Sequence, residues 1–488
     1  MNNEISKLMP NEVWENFHEL TRIPRPSKHE EQIRQFMADF GKNLGLETIQ
    51  DGAGNVIIRK PATSGMEKCK GVILQGHLDM VPQKNSDKDH DFAKDPIETI
   101  IDGEWVRANG TTLGADNGIG VAAAMAILAS KNIAHGPVEA LFTATEETGM
   151  DGAIGLKSGI LKGEILINMD SEDEGELYVG CAGGEDANIC FNYTEVPVPA
   201  DSISFRLNVT GLKGGHSGLD INLGRGNANK IFFRLLKEAS KVCGLRLSSI
   251  QGGNLRNAIP REAFGIVTVP YEKADKLVGL LAGLTTVIKR ELTATEPTLK
   301  IELSKTEMPT SLIDEKTQIN LTHSIVACPN GTIRMSDSMP GLVETSTNLA
   351  IVKSDHESKT VNVSCLMRSS VDTSRAELGS RMDSVFSLAG AKVTLAGGYP
   401  GWKPNMDSPI LKTMQQVYQG KFGRIPEIKA IHAGLECGIL GGTYPNWDMI
   451  SFGPTIRFPH SPDEKVNIES VSKFWDFLIE TLKNIPAK

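Results

Sequence analysis

Short apolar runs that end in a histidine or a carboxylate recur along this 488-residue sequence. The clearest is the run over residues 72–74, which leads into the segment Gly76-His77-Leu78-Asp79-Met80. Alternation along an extended strand places His77 and Asp79 on the same side. A neutral imidazole suits zinc, and a carboxylate two residues away can orient or polarise that ring. The pattern therefore predicts a metal ligand at the end of a buried strand.

Strand-like and helix-like patterns alternate between residues 72 and 180, which is typical of an α/β sheet. Three apolar runs predict buried strands, and an Ala-rich run predicts a helix. In open α/β sheets, sites collect beyond the carboxyl ends of the strands. We therefore expect the residues that follow these strands to meet at one edge of the sheet. The predicted strands cover residues 72–75, 138–144 and 165–169, the helix covers 117–130, and the residues at the strand ends are His77, Glu146, Glu147 and Asp170.

The pattern of strand-like and helix-like segments changes after residue 184, and the first pattern returns near residue 398. The middle part carries long alternating runs separated by amphipathic helices, which indicates an inserted α+β domain, with two similar halves as one arrangement. The alternating runs cover residues 204–209, 264–269 and 361–367, and the helices cover 227–241, 271–292, 317–328 and 375–388. We predict an α/β protein whose mixed-sheet domain comprises residues 1–184 and 398–488. The inserted α+β domain would comprise residues 185–397. Near the N-terminus, residues 27–30 read as a capping box that opens a second helix.

Composition and charge argue against several classes of partner. The formal charge of −9, from 51 basic and 60 acidic side chains, argues against nucleic acid or an anionic membrane as the main partner. The N-terminal segment has no basic and apolar regions of a secretory signal, and the most apolar stretch, residues 119–129, is shorter than the ~20 residues that cross a bilayer. Seven scattered cysteines without a C-x-x-C pair indicate reduced thiols. We expect a cytoplasmic protein.

Candidate metal ligands lie in five separate segments. Two imidazoles with three carboxylates suit a pair of divalent cations, zinc first. One carboxylate must bridge, and two metals ~3.5–4 Å apart can then share a hydroxide. Of the adjacent glutamates, Glu147 suits a ligand and Glu146 a general base. Taken singly, an aspartate before a helix is most often an N-cap, and a histidine beside proline is usually a loop residue. The candidate ligands are His77, Asp116, Glu147, Asp170 and His460.

These segments resemble those of the di-zinc aminopeptidase, aminoacylase and carnosinase superfamily. Within it, longer phrases resemble the aminoacyl-histidine dipeptidases, which are also called cytosolic non-specific dipeptidases. The resemblance spans essentially the whole chain, and no expected ligand is missing. The matching segments are residues 76–80, 116–118, 145–147, 169–170 and 459–462, and the longer phrases are residues 110–120, 256–264 and 432–438.

The resemblance implies a role for each residue of the centre. Asp116 would bridge two metals, with His77 and Asp170 completing one site. Glu147 and His460 would complete the other site. Asp79 would orient His77, and Glu146 would be the catalytic base. Relatives commonly have a cis peptide bond after the bridging aspartate, here between residues 116 and 117.

By the same resemblance, the two-segment domain would be a di-metal peptidase domain. The inserted domain resembles the superfamily's lid, an α+β domain of the dimerisation type. His216, in the Gly-rich turn over residues 213–218, would reach the substrate and stabilise a developing oxyanion. Asn257 is a candidate for the same polar shell. Arg368, at the end of a predicted strand, could hold a substrate carboxylate with its bidentate fork, although a structural ion pair is an equal alternative.

The sequence thus predicts a metal-dependent dipeptidase that acts on unblocked dipeptides, including Xaa-His. It would use two divalent cations per subunit, Zn²⁺ first, with Co²⁺ or Mn²⁺ as alternatives. An amidohydrolase of N-acyl amino acids would use the same centre and is the second hypothesis. A catalytically silent binding protein would have lost a ligand or the base, whereas this chain has all of them. Two points stay open: whether the chain forms a homodimer, and whether His216 acts on its own site or on that of a partner.

Overall fold

The computed structural model describes residues 4–488, which form two compact units. The first unit comprises the chain up to Gly180, Pro404–Ala430 and Leu435–Lys488. The second unit comprises Cys181–Lys403 and Ile431–Gly434. The main transitions lie near the domain boundaries predicted at 184 and 397, whereas nothing in the sequence indicated that residues 431–434 belong with the second unit.

Elements of the N-terminal segment alternate between helices and strands. The helices are α1 (Asn11–Thr21), α2 (Glu31–Asn43), α3 (Ala115–Ala129), α4 (Glu146–Gly149) and α5 (Asp151–Gly155). The strands are β1 (Glu47–Gln50), β2 (Val56–Lys60), β3 (Val72–His77), β4 (Thr99–Asp102), β5 (Trp105–Ala108), β6 (Val138–Thr143), β7 (Ile165–Asn168) and β8 (Glu176–Cys181).

The middle of the chain is richer in strands. Its helices are α6 (Ala228–Cys243), α7 (Ala274–Glu291), α8 (Glu315–Ala327) and α9 (Asp372–Leu388). Its strands are β9 (Gly183–Asn192), β10 (Glu195–Val196), β11 (Ser202–Thr210), β12 (Gly215–His216), β13 (Arg246–Gly252), β14 (Ala258–Ile259), β15 (Ala263–Pro270), β16 (Lys300–Lys305), β17 (Leu312–Ile313), β18 (Gly331–Met335), β19 (Val343–Asp355), β20 (Thr360–Ser369) and β21 (Lys392–Tyr399).

The C-terminal segment returns to helices and short strands. They are α10 (Pro409–Phe422), α11 (Glu436–Thr443), α12 (Ile468–Lys483), β22 (Glu427–Ile431), β23 (Asp448–Ser451), β24 (Ile456–Arg457) and β25 (Lys465–Asn467). Two short 3₁₀ helices, Ile5–Lys7 and Tyr271–Lys273, complete the structure.

An eight-stranded mixed sheet forms the first unit, in the order β1-β2-β6-β3-β7-β23-β8-β22. Strand β3 is parallel to both β6 and β7, and β7 is parallel to β23. Every residue of β3, β6 and β7 is buried, as expected for parallel strands covered on both faces. The carboxyl ends of these three strands therefore lie side by side. The predicted α/β class with a mixed sheet is confirmed.

Helix α3 packs beside the parallel strands and against α1. Residues 117–128 of this helix are all buried, and the run is rich in alanine, which has a high helix propensity and permits close packing. A smaller sheet in the order β24-β25-β5-β4 pairs the segment before α3 with the C-terminal segment. The loop between β24 and β25, which carries His460, is thereby fixed to the strand β5 that precedes Asp116.

A nine-stranded sheet forms the second unit. Its main path is β16-β11-β15-β13-β19-β20-β9-β21, and the ninth strand, β18, pairs with β19 beside this path. Two halves share one connectivity, strand-helix-strand-strand-helix-strand. One half contains β11, α6, β13, β15, α7 and β16, and the other contains β9, α8, β19, β20, α9 and β21. The same strand order, fourth-first-third-second, occurs in both halves, and β13 joins β19 at their common edge. The first half is inserted between β9 and α8 of the second.

The predicted capping box at residues 27–30 does not form. Helix α2 begins at Glu31, and Glu30 precedes it without a side-chain cap. The Ser27 hydroxyl instead donates a hydrogen bond to Asp79 Oδ2 at 2.7 Å. Glu30 Oε1 accepts hydrogen bonds from the Lys28 N–H and the Thr145 hydroxyl. The prediction of a capping box is therefore wrong, because distant partners at the strand ends form hydrogen bonds with both side chains.

Within residues 4–488, each helix falls short of the length and apolar character that would let it span a bilayer.

Candidate metal centre

His77, the last residue of β3, is buried and has polar neighbours on both ring nitrogens. Its Nδ1 lies 3.1 Å from the Asp79 carbonyl oxygen and 3.4 Å from Asp79 Oδ1. Its Nε2 lies 3.1 Å from Asp116 Oδ1 and 3.3 Å from Asp170 Oδ1. One nitrogen is thus oriented by Asp79, while the other faces two carboxylates. This is the arrangement in which an imidazole binds a metal through Nε2.

Asp116 presents its two carboxylate oxygens to different histidines. Oδ1 faces His77, and Oδ2 lies 3.3 Å from His460 Nε2. The backbone leaves helical geometry at Asp116 and Asn117, and the peptide bond between them is cis, as the resemblance implied. Asn117 Nδ2 donates to the Met169 carbonyl oxygen at 2.6 Å, which ties this turn to the end of β7. A carboxylate with one oxygen toward each histidine has the geometry of a bridging ligand.

Asp79 holds the turn that carries the two glutamates. Its Oδ1 accepts a hydrogen bond from the Glu146 N–H at 2.9 Å, and its Oδ2 accepts one from the Glu147 N–H at 3.2 Å. Burial acts to raise the pKa of Asp79, but His77, the Ser27 hydroxyl and the Glu146 N–H lower it to about 2. The carboxylate therefore stays ionised and fixes the start of α4.

Three sets of three side chains have ligand atoms close enough to surround an ion, and two of these sets contain Asp116. The first set is His77, Asp116 and Asp170, and the second is Asp116, Glu147 and His460. Glu147 Oε2 lies 2.9 Å from His460 Nε2. Glu146 belongs to a third set with His77 and Glu147. The structure thus brings together the five predicted ligands and the predicted base, which come from five segments of the sequence.

Charge in this cluster is unbalanced without a cation, because four carboxylates face two imidazoles. Burial raises the pKa of Asp170 to about 6 and that of Glu146 well above the value of an exposed glutamate. Hydrogen bonds to Asp116 and Glu147 raise the pKa of His460 to about 11. Glu147 Oε1 is buried and accepts no hydrogen bond from any group in residues 4–488. Nitrogen and oxygen donors with this excess of negative charge fit divalent cations.

Glu464 is a buried carboxylate that the sequence analysis missed. Its Oε2 accepts hydrogen bonds from the N–H groups of Leu113 and Gly114, at 2.7 and 2.9 Å. Its Oε1 accepts those of Ala115 and Asp116, at 2.7 and 3.2 Å. Four consecutive N–H groups before the cis bond therefore point at one side chain. Because Glu464 lies four residues after His460, it connects the segments that carry two of the candidate ligands.

Arg25 fixes the other side of the same loop and was also missed. Its guanidinium donates to the carbonyl oxygens of Leu78, Asp79 and Gly114 at 3.0, 3.1 and 2.5 Å. The side chain is buried. Its desolvated charge is compensated first by Glu464 and then by Asp79. Gly114 has a φ of 71°, and a Cβ there would lie 2.5 Å from Arg25 Nη2, so glycine is required at this position.

We expect Asp79→Asn to weaken metal binding about 10–100-fold, because an amide can accept from only one of the two glutamate N–H groups and no longer orients His77 as a carboxylate does. The affinity would be measured by competition with a chromophoric chelator. Asp87→Asn, at an exposed aspartate outside the centre, is the matched control. Equal affinities for the two variants would contradict the orienting role of Asp79.

The three predicted substrate-binding residues all belong to the second unit. His216 pairs with Ala258 in the β12–β14 ladder, next to Asn257, whose carbonyl oxygen accepts the Ser217 N–H at 2.8 Å. The Asn257 residue is exposed. Arg368, near the end of β20, is 5% exposed. Its Nε donates to Ser217 Oγ at 3.3 Å and its Nη1 to the Tyr399 hydroxyl at 3.4 Å.

His432 joins this polar group within the second unit. Its Nε2 lies 2.7 Å from Ser346 Oγ, and Ser346 is the cross-strand partner of Arg368. Burial, and after it the charge of Arg368, lowers the pKa of His432 to about 3, so the ring is neutral. No pattern in the sequence connected Ser217, Ser346 and His432 with Arg368, because they come from four separate segments.

Comparison with known proteins places this chain among peptidases. The family model described as Peptidase family M20/M25/M40 matches residues 73–484. The cytosol non-specific dipeptidase of Escherichia coli is 48% identical over 485 residues, covering 99% of this chain and 100% of that protein. The crystal structure of aminoacylhistidine dipeptidase from Vibrio alginolyticus is 50% identical with a TM-score of 0.95, covering 99% of this chain and 98% of that one.

A more distant structure, aminopeptidase PepT from Bacillus cereus, shares the fold at 15% identity, with a TM-score of 0.58 and coverage of 98% of this chain and 99% of that one. The family match spans most of the sequence, and the similarity to the Escherichia coli protein extends over nearly all of it. On these grounds, the chain belongs to peptidase family M20/M25/M40.

Proposed function

We propose that this chain is a metal-dependent dipeptidase that hydrolyses the peptide bond of unblocked dipeptides, including Xaa-His. The observation that carries the proposal is the pair of ligand sets that share Asp116, with Glu146 beside them. Their presence in a chain 48% and 50% identical to two proteins named as dipeptidases supports this substrate class. The Vibrio alginolyticus protein is named for aminoacyl-histidine, which supports Xaa-His among the substrates.

Five side chains would hold two divalent cations. His77 and Asp170 would bind one, Glu147 and His460 the other, and Asp116 both. When bound, the cations would polarise the scissile carbonyl and lower the pKa of an attacking water. Zn²⁺ suits this set of nitrogen and oxygen ligands, and Co²⁺ and Mn²⁺ are the alternatives that metal analysis would distinguish.

Glu146 moves the proton in the proposed reaction. Its carboxylate accepts a proton from the attacking water and delivers that proton to the leaving amine nitrogen. Asp79 keeps Glu146 in position through the hydrogen bond to its backbone N–H. No side chain forms a covalent bond to the substrate in this reaction, so it has no covalent enzyme–substrate intermediate.

The substrate would be held by residues of the inserted domain, for which we propose residues 185–397. His216 would donate a hydrogen bond to the scissile carbonyl oxygen, and Asn257 would join the same polar shell. Arg368 would bind the terminal carboxylate with its planar fork. Its Nε and Nη1 already contact hydroxyl groups of Ser217 and Tyr399, and such contacts fix the direction of the guanidinium.

Removal of metal is expected to reduce hydrolysis of Ala-His to background. The protein would be stripped with a chelator, and activity should return with two equivalents of Zn²⁺ per chain. Because a ligand that binds only the folded state stabilises it, the reloaded protein should also unfold at higher temperature. Activity that survives complete stripping would contradict the proposal.

A substrate panel separates the dipeptidase from the second hypothesis. Ala-His and β-Ala-His should be cleaved, whereas N-acetyl-histidine should not. Cleavage of N-acetyl-histidine alone would instead support an amidohydrolase of N-acyl amino acids, with the same centre and a different substrate. No contact among residues 4–488 favours that alternative.

We further propose a cytosolic location, which the name of the Escherichia coli relative supports. The homodimer stays a prediction that sedimentation velocity would check.

A further inference from the structure

His216 makes two hydrogen bonds that determine where its ring proton lies. Its Nδ1 accepts from the N–H of Gly218 at 3.1 Å and from the N–H of Leu219 at 3.0 Å. A backbone N–H can only donate, so Nδ1 must carry a lone pair. A neutral imidazole has one ring proton, which is therefore on Nε2. Because both donors converge on the same ring atom, a flipped ring would leave both without an acceptor.

The surroundings also disfavour the imidazolium form. Burial lowers the pKa of His216, the charge of Arg368 lowers it further, and only Asp220 acts in the opposite direction. The other nearby histidine, His432, is neutral and adds no favourable charge. A proton on Nδ1 would break both hydrogen bonds from Gly218 and Leu219. The neutral form should therefore persist to lower pH than in an exposed histidine.

Asp220 fixes the backbone of the same turn. Its Oδ2 accepts the His216 N–H at 2.7 Å, and its own N–H donates to the His216 carbonyl oxygen at 3.1 Å. Its Oδ1 lies 3.1 Å from Arg225 Nη2, and Arg225 Nη1 donates to the Gly214 carbonyl oxygen. A Cβ at Gly215 would collide with this guanidinium, so the close approach requires glycine. Asp220 and Arg225 thus hold both ends of the turn.

We propose that residues 214–220 form a tautomer lock that holds His216 as a neutral imidazole protonated on Nε2, with Asp220 and Arg225 as positioning residues. The catalytic consequence rests on the proposed function. A ring in this state can donate a hydrogen bond from Nε2 to a carbonyl oxygen that gains negative charge. It cannot accept a proton at Nε2 or bind a metal there, so His216 is neither a second general base nor a sixth ligand.

Nitrogen NMR of the full chain tests the lock without substrate. Protein labelled with ¹⁵N-histidine would be titrated from pH 8 to pH 5, and His216 would be assigned with the variant His216→Gln. We expect a pyridine-type Nδ1 and a pyrrole-type Nε2–H that persist at a pH where exposed histidines are protonated. A proton on Nδ1, or titration together with the exposed histidines, would overturn the proposal.

Leu219→Pro removes one of the two donors, and Leu219→Ala keeps it. The exposed Leu219 side chain makes this a matched pair. We expect the pKa of His216 to rise toward that of an exposed histidine in the proline variant and to stay unchanged in the alanine variant. Identical titrations in two folded variants would contradict the role of the backbone donors. If the proline variant does not fold, the titration of the unmodified chain still decides the proposal.

Kinetics test the positioning role of Asp220. Asp220→Ala should lower kcat about tenfold and leave KM nearly unchanged, because a displaced donor weakens binding of the transition state more than binding of the substrate. An unchanged kcat, or a loss confined to KM, would overturn the positioning role. If the chain hydrolyses no dipeptide at all, the proposed function fails. The NMR titration would still test the tautomer lock independently.

Discussion

Glu146→Gln is expected to lower kcat for Ala-His by about 10²–10⁴-fold, the range that a positioned general base contributes. The amide is nearly isosteric with the carboxylate, but it can neither accept a proton from water nor return one to the leaving amine. The hydrogen bond from the Glu146 N–H to Asp79 comes from the backbone, so the substitution leaves it in place. Glu146 is therefore separable from the residues that hold the metals.

Metal content must be measured alongside the rate. Elemental analysis of Glu146→Gln should give the same two cations per chain as the unmodified protein, and KM should change little. Glu469→Gln, on the exposed side of α12, is the matched control and should retain full activity. A Glu146→Gln protein that keeps both metals and near-normal kcat would falsify the assignment of the base.

Glu464→Gln is expected to destabilise the metal-free protein by about 1–3 kcal/mol, the usual cost of leaving a buried donor without its acceptor. The carboxylate accepts four backbone N–H groups, whereas an amide has one oxygen and would turn its NH₂ toward two of these donors. The buried guanidinium of Arg25 would also lose the charge that compensates it most strongly.

The same substitution should weaken metal binding about 10–100-fold, as removal of groups that orient ligands does. Urea unfolding of metal-free protein would give the free energy of unfolding, and chelator competition would give the affinity. Asp463→Asn changes the neighbouring exposed carboxylate and should affect neither quantity. A loss of stability with unchanged affinity would mean that Glu464 supports the fold without positioning Asp116 and His460.

Much of the centre could be predicted because buried parallel strands leave a clear pattern. Strands β3, β6 and β7 are fully buried and mostly apolar, and polar residues follow where each strand ends. That pattern located His77, the two glutamates and Asp170 before any contact was known. The division of roles between Glu146 and Glu147 followed from the geometry of a turn and from resemblance, and it remains a proposal.

Periodicity located the strands and helices of the inserted domain, but it did not give the order of the strands in the sheet. Alternating runs indicated β11, β15 and β20, and amphipathic runs indicated α6–α9. Periodicity reports which face of a strand is buried, but it does not report the neighbouring strand. The insertion of one half into the other, joined at β13 and β19, became visible only in the strand pairing.

The sequence by itself determined the α/β class, the ends of the central strands and the residue types that can bind metal there. Tertiary structure alone decided that Ser27 bonds to Asp79 rather than capping α2, that Asp116 turns one oxygen to each histidine, and that Glu464 meets a loop 348–351 residues away. The physical reason is that the partner of a hydroxyl, a carboxylate or a backbone N–H depends on which distant segments the fold brings together. Nearly every residue has a backbone N–H, so no local pattern shows which distant acceptor it will meet.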